Sequence, residues 1–299
     1  MPKKHRFDAT QFWVDPDKKL DLSKVSTKAG KELIDKRFAE ESLAADVSAL
    51  QQQQELLYAS KGRALLIVIQ GMDTSGKDGT IRHVMGAVNP QGCRVYSFGP
   101  PNSTERNHHF LWRPGPYLPE KGMISLFNRS YYEEVLVVRV HPEFLAPQRI
   151  PNVQLNRPKS LDALWKRRFK EIRTFEKTLD NNGTVVMKFF LHISSQEQRD
   201  RLLARLRAPQ KYWKFNAGDL AERKLWPRYQ TAFQDCLQRT STQECPWYII
   251  PADNKWYARA AVADIIATKL EQLALGFPEA SKQEVAKYGE YIAELESQT

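Results

Sequence analysis

Two patterns of apolar residues alternate along the chain, and each predicts a different element. A continuous apolar run rich in branched residues predicts a buried central strand at 64–69, and further strand candidates follow at 93–98, 123–127, 135–140, 184–193 and 247–250. Apolar residues at helical spacing predict helices at 38–60, 161–179, 196–207, 255–275 and 282–297. Strands that alternate with helices predict an α/β fold with a mostly parallel sheet in a three-layer αβα sandwich.

The same patterns divide the chain into three parts. Residues 1–35 lack a periodic pattern and are predicted to form an irregular N-terminal arm. Residues 36–275 contain the alternating elements without an internal repeat or a linker, so we expect one domain with an inserted helical lid at about 196–230. Residues 276–299 are predicted to contain a C-terminal amphipathic helix.

A glycine-rich segment follows the first predicted strand directly. Residues 71–78 read Gly-Met-Asp-Thr-Ser-Gly-Lys-Asp, which nearly matches the pattern GxxxxGK[ST]. An amphipathic helix begins behind it, and the pair Asn89-Pro90 ends that helix. A strand, a glycine-rich turn and a helix in this order predict a P-loop NTPase-like fold with a phosphate-binding loop at 71–80.

Each residue type in this loop suits phosphate chemistry. Glycines let the backbone turn tightly and present its N–H groups to phosphate, while Lys77 can offset charge on the transferred phosphoryl group. Asp78 occupies the position where Ser or Thr usually holds Mg²⁺, and Asp73 is a second acid within the loop. Because bare carboxylates repel phosphate, both acids are candidate metal ligands.

A second polar cluster follows the predicted strand 123–127. Asn128 and Arg129 come directly after the apolar run, at the carboxyl end of a strand where open parallel sheets bind ligands. We expect Asn128 to lie near the metal and Arg129 to reach the phosphates, with Glu133 and Glu134 assisting the metal or the substrate. Ordinary surface polarity at a strand end is the alternative interpretation.

Residues 199–228 form a strongly basic segment. They contain nine Lys or Arg and only three acids, so this tenth of the chain carries +6 of the formal net charge of +10. Such a segment suits a long polyanion and would close over the site as a lid, excluding water and aligning donor with acceptor. A solvated basic helix is the alternative. Among the interleaved aromatics Trp213, Phe215, Trp226 and Tyr229, we expect core packing for most and base stacking as the other role.

Composition limits the remaining classes. No apolar run approaches the roughly 20 residues of a membrane-spanning helix, and no secretory signal is recognisable. The cysteines Cys93, Cys236 and Cys245 are odd in number and lack CxxC spacing, which favours reduced thiols in a cytoplasmic protein. The absence of a long apolar run leads us to expect no membrane partner, and the absence of a known nucleic-acid-binding signature leads us to expect no nucleic-acid partner. We also expect a homo-oligomer.

Several motifs together resemble the polyphosphate kinase 2 family. They are Gly71-Met-Asp-Thr-Ser-Gly-Lys-Asp-Gly79, Val88-Asn-Pro-Gln-Gly92, Phe110-Leu-Trp-Arg113, Phe127-Asn-Arg-Ser-Tyr-Tyr132, Tyr212-Trp-Lys-Phe215, Pro246-Trp-Tyr248 and Ala252-Asp-Asn-Lys255. The resemblance implies a thymidylate-kinase-like P-loop fold and Mg²⁺-dependent phosphoryl transfer between inorganic polyphosphate and nucleotides. It further implies metal binding by Asp73, phosphate binding by Lys77, and a Walker B position at Asn128-Arg129, where much of the family has Asp instead of Asn128. The segment from Phe127 to Val135 resembles the subgroup that accepts AMP as well as ADP.

The leading hypothesis is reversible, direct in-line phosphoryl transfer from polyphosphate to AMP or ADP, with adenine or guanine as the base and Mg²⁺ or Mn²⁺ as the ion. The expected catalytic residues are Asp73, Lys77, Arg129 and Arg201, and the expected metal ligands are Asp73, Asn128 and Glu133. The expected phosphate- and nucleotide-binding residues are Gly71, Thr74, Ser75, Gly76, Lys77, Asp78, Gly79, Arg113, Asn128, Arg129, Arg199, Arg205, Lys211 and Lys214.

Two alternatives stay open. An ATP-dependent nucleoside monophosphate kinase would share the loop and the fold, although the charge density of the lid favours a longer polyanion. A nucleic-acid-binding module could use the same basic surface, although no nucleic-acid-binding signature is present.

Overall fold

The computed structural model describes residues 7–30 and 35–298, and its core is a five-stranded sheet. The strands are β1 (Ala64–Gln70), β2 (Cys93–Ser97), β3 (Ile124–Asn128), β4 (Thr184–His192) and β5 (Trp247–Pro251). They lie in the order β2-β3-β1-β4-β5, and all four neighbouring pairs are parallel. Every residue of β1 and β4 is buried, as continuous apolar runs predict for central strands.

The described residues also form ten α-helices. They are α1 (Lys36–Ser60), α2 (Lys77–Met85), α3 (Ser103–Arg106), α4 (Val137–Val140), α5 (Pro158–Asn181), α6 (Ser195–Leu206), α7 (Gly218–Lys224), α8 (Trp226–Thr240), α9 (Lys255–Glu271) and α10 (Lys282–Glu296).

Two hydrophobic cores, one on each face of the sheet, make the molecule a three-layer sandwich. Buried side chains of α1, α2 and α9, such as Leu50, Val84 and Ile266, pack on one face. Those of α5 and α8, such as Phe169 and Phe233, pack on the other. The predicted α/β fold with a mostly parallel sheet is therefore confirmed.

One predicted strand is wrong. Residues 135–140 do not join the sheet, because the chain turns away after β3 and forms a 3₁₀ helix at Tyr131–Val135 followed by α4. Val135, Leu136 and Val138 are nevertheless buried in the core. A short apolar run fits a buried helix as well as a buried strand, so its pattern alone could not separate the two.

Residues 7–30 of the predicted arm lie against the domain. Phe7 and Phe12 are buried and pack edge-on against Tyr257 of α9. Beside β5, the N–H of Val14 donates to the carbonyl of Trp247 at 2.9 Å. This part of the arm therefore contributes to the core, while residues 1–6 and 31–34 of the predicted arm lie outside the described residues.

Two further findings concern membrane-spanning helices and disulfides, which were considered from the sequence. Within residues 7–30 and 35–298, no helix combines the length and the apolar character needed to cross a membrane. All three cysteines are free thiols; Cys236 and Cys245 are buried, and burial raises the pKa of the half-buried Cys93 to about 11.

Candidate active site

The predicted phosphate loop lies at the carboxyl end of the central strand. It links β1 to α2, which begins at Lys77. Gly76 has a φ of 105°, a conformation that side chains rarely adopt. A Cβ on Gly71 would lie 2.6 Å from Ser75 Oγ and 2.9 Å from the carbonyl oxygen of Leu191, so only glycine fits there. The loop thus places the N-terminus of α2, with its partial positive charge, at the edge of the sheet.

Lys77 is folded back onto this loop. Its side chain is only 9% exposed, and Nζ donates to the carbonyl oxygens of Gly71 at 2.7 Å and Met72 at 3.2 Å. Burial lowers the pKa of Lys77, and the nearby carboxylate of Asp73 opposes that effect. A bound phosphate would replace neutral carbonyls with a charged partner, which is the environment that a buried ammonium prefers.

Arg129 reaches the loop from the neighbouring strand. Its Nη2 lies 3.0 Å from Asp73 Oδ1, and its backbone N–H donates to the carbonyl of Ile69 at 3.2 Å. The side chains of Arg129 and Asp73 are 44% and 32% exposed, so both remain accessible to a ligand. The structure therefore brings together Lys77, Asp73 and Arg129, as predicted from two separate motifs.

A buried network fixes the chain directly behind Arg129. The hydroxyls of Tyr131 and Tyr132 donate to Glu176 Oε1 at 2.8 and 2.7 Å. Lys188 Nζ donates to Glu176 Oε2 at 2.6 Å, and both charged side chains are almost completely buried. Because every charge in this network has a partner, it can hold the end of β3 in one position.

Asn128 connects β3 to the first turn of α2. Its Nδ2 donates to Asp78 Oδ1 at 2.8 Å. Three buried oxygens around the loop have no hydrogen-bond partner among the described residues, namely Asn128 Oδ1, Thr74 Oγ1 and Ser75 Oγ. Buried polar atoms are normally paired, so these oxygens suggest a ligand that completes the site.

The side-chain oxygens of Asp73, Asp78 and Asn128 fit a magnesium ion that shares its coordination with substrate. No cluster of three or more His, Cys, Asp or Glu suited to a metal occurs in the described part of the chain. Mg²⁺ is usually held by one or two carboxylates together with substrate phosphates and water, so a complete protein cage is not required. Burial raises the pKa of Glu133, against the opposing charges of Arg129 and Lys77.

Arg201, which was predicted to be catalytic, contacts the backbone of the phosphate loop. Its Nη1 donates to the carbonyl oxygens of Thr74 and Ser75 at 2.9 and 2.8 Å, and its Nη2 donates to those of Ala252 and Asp253. The guanidinium therefore ties α6 and the loop after β5 to the phosphate loop from behind. In this conformation backbone carbonyls and the carboxylate of Glu197 occupy the donors of Arg201, so its catalytic role stays a prediction.

The other predicted lid cations lie farther along the same segment. Arg199 is exposed beside Asp200, whereas Arg205 Nη1 contacts the carbonyl of Lys214 at 3.2 Å and Asp219 Oδ2 at 3.5 Å. Lys211 and Lys214 are exposed in a 3₁₀ helix at Pro209–Lys214. The structure does not bring these four side chains onto the loop, so contact with a phosphate chain would require this segment to close.

Arg113 lies at the end of β2 and is already paired. Its Nε lies 3.0 Å from Glu105 Oε1, its Nη2 donates to the carbonyl of Gly99 at 2.8 Å, and it packs over the ring of Phe98. This is the same edge of the sheet as Arg129, but no hydrogen bond or ion pair joins the two side chains. Binding of an acceptor phosphate by Arg113 remains a prediction.

Two residues near the loop were not identified from the sequence. Gln198 Nε2 donates to the carbonyl of Asp73 at 3.1 Å. Asp219 lies at the start of α7. Its pKa is raised, mainly by burial and then by the negative charge of Asp73, while the charges of Arg129 and Lys77 oppose this effect. Asp219 is one of the three acids of the basic segment 199–228, and no local motif in the sequence distinguishes it from the other two.

Comparison with known proteins points to one family. The family model described as "Polyphosphate kinase 2 (PPK2)" matches residues 33–276. An "ADP-polyphosphate phosphotransferase" of Rhodopseudomonas palustris is 48% identical over 269 residues, which cover 90% of this chain and 92% of that protein. An "AMP/ADP-polyphosphate phosphotransferase" of Meiothermus ruber is 46% identical over 244 residues, which cover 82% and 85%.

A solved structure extends the agreement to three dimensions. The crystal structure of polyphosphate kinase 2 from Arthrobacter aurescens matches with a TM-score of 0.87 and 34% sequence identity, covering 97% of this chain and 99% of that one. The resemblance predicted from the motifs is thus confirmed over both sequence and fold. Because the family model spans most of its residues, this chain belongs to the polyphosphate kinase 2 family.

Proposed function

We propose that this chain transfers a phosphoryl group directly and reversibly between inorganic polyphosphate and a nucleotide. The observation that carries the proposal is the meeting of Lys77 with the Asp73–Arg129 pair at the carboxyl ends of β1 and β3, beside a strongly basic segment. Two relatives whose names specify ADP-polyphosphate and AMP/ADP-polyphosphate phosphotransferases support it. AMP and ADP are therefore the acceptors to test first, with the guanine nucleotides after them.

Phosphoryl transfer requires the protein mainly to position the two substrates and to neutralise their charge. The P–O bond to the terminal phosphoryl group of the polyphosphate breaks as a phosphate oxygen of the nucleotide bonds to the same phosphorus. Lys77 leaves its loop carbonyls to bind phosphate oxygens, and Arg129 offsets the charge on the transferred group. Closure of the segment 196–230 brings its cations to the polyphosphate and excludes water.

A magnesium ion, or manganese in its place, would complete the site. Asp73 would hold it, with the side-chain oxygen of Asn128 and the carboxylate of Glu133 as further candidates and Asp78 acting through water. When bound, the ion neutralises phosphate charge and orients the phosphoryl group.

ATP formation tests the proposal. Chain, Mg²⁺, ADP and long-chain polyphosphate are incubated together and ATP is measured, with AMP and GDP as parallel acceptors. We expect ATP to form, and we expect Lys77→Ala to lower turnover roughly 100-fold or more because a preorganised charge is lost. No ATP from polyphosphate, combined with ADP formation from AMP and ATP, would identify a nucleoside monophosphate kinase instead.

We also propose that a second copy of the chain covers α10. No residue of this helix is buried, and Val285, Tyr288, Ile292 and Leu295 follow the 3-4-3 spacing of a helix-pairing seam with exposures of 45–66%. Residues 282–288 contain two lysines and one glutamate, whereas residues 289–296 contain three glutamates. Antiparallel pairing places each lysine-bearing half against the acidic half of the other copy, which favours self-association over another partner.

A further inference from the structure

The tip of the basic segment carries two exposed aromatic rings. Tyr212 and Trp213 lie in the 3₁₀ helix at Pro209–Lys214, and they are 55% and 79% exposed. Trp213 is the most exposed large hydrophobic side chain among the described residues. The core packing expected for most of the aromatics holds for Tyr229, which is 6% exposed, whereas Trp213 does not pack in the core.

The tip is anchored beside the candidate active site. Arg205, on α6, donates to the carbonyl of Lys214 at 3.2 Å and contacts Asp219 Oδ2 at 3.5 Å. The two rings therefore belong to a segment that Arg205 ties to α6, the same helix whose Arg201 donates to the carbonyls of the phosphate loop.

Two lysines lie next to the rings of Tyr212 and Trp213 in the sequence. Lys214 Nζ lies 4.8 Å from the centre of the Trp213 ring, and Lys211 precedes Tyr212 directly. Polyphosphate would satisfy the two lysines, but it has no flat apolar face that could cover an indole ring. A nucleotide supplies both features, because its base stacks on aromatic rings and its phosphates pair with lysines.

We propose that Trp213, with Tyr212 beside it, is the platform on which the base of the nucleotide substrate stacks. The proposal rests on the proposed function in taking a nucleotide as one of the two substrates. Stacking needs only a π-face, so the platform accepts different bases and prefers the larger purines. Trp213 is thus a nucleotide-binding residue, whereas the neighbouring lysines serve either phosphate-containing substrate.

Binding measurements test this assignment without depending on turnover. Calorimetric titrations of the full chain with ADP, CDP and inorganic tripolyphosphate compare wild type with Trp213→Ala and Trp213→Phe. We expect Trp213→Ala to weaken ADP binding about tenfold and CDP binding less, with Phe restoring most of the affinity. Tripolyphosphate, which has no base, should bind within about twofold of wild type.

Phe277→Ala is the matched control, because Phe277 is an aromatic residue of 61% exposure outside the site and should leave all three affinities unchanged. Unchanged ADP affinity in Trp213→Ala overturns the proposal. Equal weakening of ADP and tripolyphosphate also overturns it, since the tip would then recognise phosphate alone. If base-dependent binding through Trp213 holds but no ATP forms from polyphosphate, the proposed function fails while this inference stands.

Discussion

At the scale of single residues, the site contains two residues whose backbone conformation is energetically costly. Thr74 and Arg129 have φ values of 65° and 63°, in the left-handed region that residues other than glycine seldom occupy. Such positions cost on the order of 1 kcal/mol each and are over-represented at functional sites. At Arg129 this turn ends β3 abruptly and directs the guanidinium back toward Asp73.

Arg129→Ala tests that arrangement. We expect kcat to fall about 100-fold because a charge aimed at the transferred phosphoryl group is lost, while the melting temperature changes little for a side chain that is 44% exposed. Arg167→Ala removes a similarly exposed arginine on α5 and is the control for net charge. A kcat near that of wild type for Arg129→Ala would exclude Arg129 from the chemistry.

At the scale of elements, the phosphate loop depends on contacts that no local pattern reveals. The glycines, Lys77 and the apolar strand before them form one continuous signal, so the loop was predictable from the sequence. The sequence also placed Arg201 among the expected catalytic residues, but it did not indicate that Arg201 points into the carbonyls behind the loop. That contact joins residues more than 100 positions apart, and single-sequence periodicity contains no information about such pairs.

Arg201→Lys separates positioning from charge neutralisation. A lysine keeps the charge but cannot serve four carbonyls, so we expect Arg201→Lys and Arg201→Gln to lose similar activity, about tenfold or more, and to melt about 3–8 °C lower. Arg199→Lys, on an exposed part of α6, is the control for stability. Near-complete rescue by lysine would mean that Arg201 acts through its charge.

A histidine connects α4 to α7. His141 Nε2 lies 3.0 Å from Glu222 Oε2 and His141 Nδ1 lies 3.0 Å from Glu143 Oε1. Burial acts to lower the pKa of His141, but Glu222 and Glu143 outweigh it and raise the pKa. Since protonation is favoured in the folded state, the contact stabilises α7 fully below the unfolded-state pKa of about 6.5 and loses this effect as pH rises through the higher folded-state value.

His141→Gln should reveal this pH dependence. We expect it to lower the melting temperature by about 1–3 °C near pH 5.5 and by less near pH 8.5, the scale for losing a partly exposed charge pair. In a Glu222→Gln background the same substitution should have a smaller effect at acid pH. An equal loss at both pH values would show that packing, not the charge on His141, holds α7.

At the scale of the whole molecule, the sheet order brings distant motifs to one edge. β1 lies between β3 and β4, so the loop after β1, Arg129 after β3 and α6 after β4 meet although they are far apart in sequence. Parallel sheets place all carboxyl strand ends on the same side, which made the convergence of the first two motifs predictable. The approach of Asp219 was not, because it depends on the path of the chain between α6 and α8.

The proposed pairing of α10 predicts the size of the assembly. Ile292→Glu combined with Leu295→Glu should lower the mass measured by light scattering during size-exclusion chromatography, because charges in an apolar seam oppose association. Gln283→Glu combined with Ala286→Glu adds the same charge on the other face of the helix and should leave the mass unchanged. Identical masses for both double variants and the wild type would refute the pairing.

The N-terminal segment also covers the edge strand β5. Trp13 forms an antiparallel bridge with Tyr248, and the N–H of Ile249 donates to the carbonyl of Phe12 at 2.7 Å, so the open border of β5 is covered by the same chain. An uncovered border of this kind recruits strands from other molecules. A version shortened to start after residue 30 would therefore keep every motif of the phosphate site yet tend toward insoluble, intermolecularly paired material.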